Sequence, residues 1–150
     1  MQRRSLLLTA PALLAAATLP AWAAQPSAQA LPVLQVWKDP NCGCCKDWIA
    51  YLQRDGFQVQ VFETGNTAVR QRLGLPAKYG SCHTALVGGY VVEGHVAASE
   101  IRRLLAEKPD AIGLAVPGMP VGSPGMDGPV YGERRDAYDV LLVQRDGSAR

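Results

Sequence analysis

Apolar residues crowd together in "VLQVWKD", take helical spacing in "CKDWIAYLQRDG", and alternate strictly in "FQVQVFE". The first stretch predicts a buried strand from Val33 to Trp37. In the second, Trp48, Ile49 and Leu52 share one helix face, and Gly56 provides the stop. The third predicts a strand from Phe57 to Phe62. Between the first two, "PNCGC" is turn material. Next, "NTAVRQRLGL" predicts a helix capped by Asn66 and stopped at Gly74, with Pro76 beyond it.

Two apolar runs then flank Gly88-Gly89 in "TALVGGYVVEG", a strong hairpin signal. In "AASEIRRLLAEKP", Ile101, Leu104 and Leu105 face inward, Arg102, Arg103 and Glu107 face outward, and Pro109 ends the helix. The order is strand, helix, strand, helix, hairpin, helix. That is the plan of a thioredoxin-like α/β domain, a mixed central sheet flanked by helices. The segment from Gly113 to Pro129, "GLAVPGMPVGSPGMDGP", holds too much Gly and Pro for a regular element. Its Leu114, Val116, Met119, Val121 and Met126 predict a loop packed across the domain rather than a linker. "DAYDVLLVQRDG" predicts a last strand at the sheet edge.

The N-terminus changes the picture by removing itself. "MQRR", the apolar "SLLLTAPALLAAATLP" and the small-x-small "AWA" have the layout of a secretory signal peptide over residues 1–23. Arg3-Arg4 before "SLLL" also fits a twin-arginine signal, and the two export routes stay equally open. A membrane anchor is disfavoured, since the run is short and broken by Pro11 and Pro20. The expected product is a periplasmic chain without a membrane span, with a flexible leader at 24–32 and one domain at 33–150. The whole chain has 15 basic and 13 acidic residues, and Arg3 and Arg4 leave with the signal, so the remainder is balanced. With no basic stripe interleaved with aromatics, nucleic acid is not an expected partner.

Three of the four cysteines, Cys42, Cys44 and Cys45, occupy four consecutive positions in "NCGCC", and Cys82 is the fourth. In an exported chain an even count usually means structural disulfides. Such bridges typically close long loops, whereas three of these thiols share one turn. Cys42 and Cys45 could pair across that turn, but one thiol of the three is always left over. The turn sits between a strand and a helix, where free N–H groups favour thiolate over thiol. A thiolate there serves either disulfide exchange or metal binding.

The second half of the site bears on that choice. In thioredoxin-like folds a cis-proline usually precedes the strand facing the cysteine pair. Here "SCHTALVGGY" puts His83 at that place with Cys82 beside it, so four sulfurs converge with His83 close by. Zinc accepts a closed tetrahedron of four sulfurs. Copper(I) is softer and shares bridging sulfurs among several ions, which suits crowded cysteines better. Met119 and Met126 fit copper as thioether ligands, with core filling as their alternative. His83 is expected to touch metal or to hydrogen-bond beside it. His95 is expected as a capping or surface group, with ligation as the lesser alternative. Trp37 and Trp48 are expected to shield the cysteines, Asp39 and Lys46 to be solvated or capping groups, and Tyr79 to pack in a loop.

"NCGCCKDW", "SCHTALVGGYVVEGHV" and "GLAVPGMPVGSPGM", in that order, resemble the CopG-like copper-resistance proteins from about Val33 to Met126. The resemblance implies a thioredoxin-like fold and a site of several copper(I) ions bridged by Cys42, Cys44, Cys45 and Cys82. It also implies a role in periplasmic copper handling, with other copper-handling proteins as partners and redox interconversion of copper as an extension. Two functions follow as expectations. One is a copper(I)-binding resistance protein, with catalysis left open. The other is an exported thiol–disulfide oxidoreductase using Cys42 and Cys45.

Overall fold

The computed structural model describes residues 30–150, so the expected signal peptide and most of the leader lie outside the described residues. Strand β1 (Leu34–Lys38) turns Leu34 and Val36 into the core and leaves Gln35 and Trp37 half-buried on its other face. It begins and ends one residue later than predicted. Helix α1 (Gly43–Arg54) begins inside the cysteine turn, with Cys42 as its N-cap, and buries Cys45, Trp48, Ile49 and Leu52. It stops where Gly56 takes φ +91°, a conformation glycine adopts without the Cβ penalty. Strand β2 (Val59–Phe62) then pairs with β1 in parallel, a pairing that the crossover through α1 makes possible.

Helix α2 (Thr67–Arg72) is short and precedes a 3-10 turn at Ala77–Tyr79. Strands β3 (His83–Val87) and β4 (Tyr90–Glu93) form the predicted hairpin on Gly88-Gly89, followed by α3 (Ala98–Glu107). Two further strands, β5 (Gly113–Ala115) and β6 (Leu141–Val143), complete a six-stranded mixed sheet in the order β2-β1-β3-β4-β5-β6. The Gly/Pro-rich segment therefore opens with a strand, which the sequence reading missed. Gly113, Leu114 and Ala115 carry too little pattern to announce one, and pairing with β4 and β6 imposes it. The last strand lies at the sheet edge as expected. No helix among the described residues is long and apolar enough to cross a membrane.

Register explains the core. Val36 pairs with Ala85, Ala85 with Val92, and Val92 with Leu114, giving one apolar row across four strands. Trp48, Ile49 and Leu52 of α1 and Ile101 and Leu104 of α3 pack in the same cluster. A second cluster contains Leu75, Tyr79, Val91, Ala115 and Val143. Tyr79 thus packs as expected, and its hydroxyl donates to Gly147 O.

The Asn66 cap does not form. Its backbone is helical, and its side chain donates instead to Ser81 O and Thr84 Oγ1, tying α2 to the start of β3. The first cluster supplies a direct stability test. Leu52→Ala should destabilise the metal-free protein by about 2–5 kcal/mol in chemical denaturation, because the fully buried side chain leaves a cavity between α1 and the sheet. A loss within experimental error of zero would contradict this packing.

Candidate metal centre

The start of α1 and the start of β3 meet because β1 pairs with both β2 and β3, placing Lys38 opposite His83. Lys38 is buried, a position the sequence reading left unremarked. Its ammonium donates to Asp39 O at 2.9 Å and pairs with Glu63 at 3.0 Å, pinning the turn into the cysteines. Asp39 Oδ1 accepts from Asn41 N–H, the local capping role expected of it. The first turn of α1 has no side-chain cap, which leaves its first N–H groups without a capping side chain.

All four cysteine sulfurs lie within 4.8 Å of one another. Cys44 Sγ is 3.6 Å from Cys42 Sγ and 3.8 Å from Cys82 Sγ. Cys42 and Cys45 are joined as a disulfide, with Cys44 and Cys82 free. This differs from the expectation of thiols kept apart for metal. Their Cα atoms, 5.4 Å apart across one helical turn, lie within ordinary disulfide range. The convergence of the four sulfurs is as expected, in a state where two of them are oxidised.

Cys82 also faces two imidazoles. Its Sγ lies 3.3 Å from His83 Nδ1 and 3.2 Å from His95 Nε2, and these three side chains form a second donor group sharing Cys82. His95 is fully buried, which corrects its expected place as a capping or surface group. Its Nδ1 is 2.8 Å from Pro124 O and, as the donor to that carbonyl, carries the ring proton. Nε2 is then a lone pair aimed at Cys82, able to accept its S–H or to ligate a metal.

A readable signal for His95 existed. Counting outward from Gly88-Gly89 along the hairpin brings His95 opposite Cys82, because Val87 pairs with Tyr90 and Thr84 with Glu93. His83 is buried as well, and its Nε2 has no hydrogen-bond partner among the described residues. Trp48 covers that ring, with centroids 4.2 Å apart, and ties itself to Val96 O. Trp37, in contrast, stacks on Phe62 away from the sulfurs, since alternation along β1 turns it to the opposite face.

Burial shapes the electrostatics. It pushes the Cys82 thiol, assisted by the neighbouring Cys44 sulfur, up to about 12. Burial and then His95 push His83 down to about 3, and burial lowers His95 also. A neutral thiol beside neutral imidazoles is therefore the metal-free state. Charging Cys82 calls for a cation at the sulfur.

The Gly/Pro-rich segment closes over the site. Gly125 has φ +81°, and a Cβ there would lie 2.6 Å from Trp48 N and 2.9 Å from Cys44 O, so only glycine lets the loop lie on α1. The next residue, Met126, is buried, and its sulfur accepts the Tyr131 hydroxyl at 3.2 Å. Met119 follows Gly118, which bridges to Ser81 beside Cys82, yet its side chain is 52% exposed. The backbone thus brings both methionine-bearing stretches alongside the cysteines.

Fold and site together define a small α/β protein with overlapping sulfur and imidazole donors suited to a soft metal. A family model described as "Protein of unknown function, DUF411" matches residues 79–126. Two solved structures, "Copper resistance protein copG" in Form 1 and Form 2, are each 50% identical, with a TM-score of 0.72. Each match covers 79% of this chain and 94% of theirs. Comparison with curated proteins finds no match. The chain belongs to the CopG family of copper resistance proteins.

Two outcomes follow from this geometry. Gly125→Ala should cost about 1–3 kcal/mol and make the 116–128 segment cleavable in limited proteolysis, because the loop must lift from α1. Unchanged resistance would contradict the close approach. The depressed His83 value means that the unfolded chain binds its proton more tightly. Stability of the metal-free protein is complete above the ordinary value of 6.5 and is lost as pH falls from there toward about 3. The slope from His83 is at most about 1.4 kcal/mol per pH unit, and His83→Gln should flatten it in denaturation curves. An identical slope in that variant would count against a buried neutral His83.

Proposed function

We propose that this chain is an exported, periplasmic copper(I)-binding protein of copper resistance, built on a thioredoxin-like frame, with several copper ions bridged by Cys42, Cys44, Cys45 and Cys82. The carrying observation is the convergence of all four sulfurs within 4.8 Å of one another. One metal at the centre of a tetrahedron would use each sulfur once. Bridging sulfurs shared among soft ions suit adjacent cysteines on one helical turn. His83 and His95 border the cluster through Cys82, and Met119 and Met126 are its candidate thioether ligands. The names of the related structures, copper resistance proteins, support copper as the cargo over zinc.

Loading all four sulfurs requires the Cys42–Cys45 disulfide to open. Two electrons and two protons from a periplasmic dithiol convert it to two thiols, and the dithiol leaves as its own disulfide. Copper(I) then displaces the thiol protons. The reverse couple suits copper redox interconversion. Two copper(II) ions take one electron each as Cys42 and Cys45 form their disulfide and release two protons, leaving two copper(I) ions.

Anaerobic copper(I) titration of the reduced mature protein, with a competing chelator and a thiol count, tests this reading. More than one tightly held copper per chain is expected, with all four thiols protected, and Cys44→Ser should lower that capacity. The disulfide in the C-x-x-C favours a second reading, an exported thiol–disulfide oxidoreductase. One copper or none, with rapid return of the Cys42–Cys45 disulfide and full disulfide reductase activity in Cys44→Ser, would establish that reading instead.

A further inference from the structure

Cys82 is the one site cysteine remote from the turn that opens α1, and it lies on a bend before β3 rather than within the strand. Its place depends on how the preceding residue, Ser81, is held. Ser81 N–H donates to Glu93 Oε1 at 2.7 Å. Ser81 O accepts from Arg70 Nη2 at 2.7 Å and from Asn66 Nδ2 at 3.1 Å, and its hydroxyl donates to Gly118 O. Arg70 Nε also donates to Glu93 Oε1 at 2.7 Å, and Glu93 Oε2 accepts from Thr84 Oγ1 at 2.5 Å. One guanidinium thereby grips both the carboxylate and the carbonyl that fix Ser81.

This ion pair is buried, with Glu93 fully covered and Arg70 13% exposed. Removing two charges from water offsets most of their attraction, so such a pair adds little net stability. What it does supply is geometry, since the planar guanidinium donates along fixed directions. Gly80 packs closely beside the pair, since a Cβ there would lie 2.9 Å from Arg70 Nη1 and 3.0 Å from Ala77 O. Neither charged group is hydrogen-bonded to a site sulfur or imidazole.

We propose that Arg70 and Glu93 are positioning residues that hold Cys82 against Cys44, so that the fourth sulfur completes the site. Its purpose rests on the copper reading, whereas the placement of Cys82 can be tested without metal. The probe is iodoacetamide on the mature protein with its Cys42–Cys45 disulfide intact, with alkylation of Cys82 and Cys44 followed separately by peptide mass spectrometry.

Glu93→Gln keeps the shape but removes the charge. The Cys82 rate should rise about tenfold, the scale of one lost charged hydrogen bond, while the Cys44 rate stays within about twofold. A general loosening of the fold would raise both rates together and overturn the proposal, as would a folded variant with an unchanged Cys82 rate. Should Glu93→Gln fail to fold, Arg70→Lys decides, since it keeps the charge but cannot bridge carboxylate and carbonyl in the same way. A selective rise at Cys82 supports the proposal, and no rise overturns it. Parallel copper(I) titration of the unmodified protein separates the two claims. Absence of copper binding there would sink the copper reading and leave the alkylation result to judge the positioning.

Discussion

Four sulfurs within 4.8 Å of one another, in a half-buried site, cannot all carry charge unless something positive lies among them. This crowding is the constraint on which the rest of the structure depends. The metal-free protein relieves it in two ways: Cys42 and Cys45 share a disulfide, and burial together with Cys44 keeps the Cys82 proton in place. Soft cations are the third form of relief, and the one that uses every sulfur at once. On the proposed copper reading, the metal-free and metal-bound forms of the site would differ in both electrons and protons.

The frame makes the crowding possible. Parallel pairing of β1 with β2 sends the chain through α1, whose N-cap and first turn carry three of the cysteines. Antiparallel pairing of β1 with β3 returns Cys82 to the same end of the sheet. The hairpin adds His95, and the proline- and glycine-rich crossing adds a lid held by Pro124 O on His95 and by the fit of Gly125 on α1. The buried Arg70–Glu93 pair grips Ser81, the residue before Cys82, through its carbonyl and N–H. Polar groups are buried here in service of position, and the apolar rows beneath supply most of the stability.

Much of this was legible in the chain because period and spacing are local properties. Alternation in "FQVQVFE", helical spacing in "AASEIRRLLAEKP" and the Gly88-Gly89 turn each correspond to an observed element. Convergence of Cys82 on the other cysteines followed from the element order set against the thioredoxin-like plan. What was lost depends on pairings between distant segments. Asn66 has the chemistry of a cap and spends it on Ser81 and Thr84, and Trp37 sits beside the cysteines in sequence but on the other face of β1. His95 was expected as a capping or surface group, since only the hairpin register, continued past Glu93, sets it opposite Cys82. Strand β5 has no pattern of its own and exists because two neighbours pair with it.

X-ray absorption at the copper edge, on the reduced protein loaded with copper(I), tests the bridged site most directly. A bridged site gives a first shell dominated by sulfur together with a short copper–copper scattering shell, both weakened in Cys44→Ser. A single copper with no copper neighbour would contradict it.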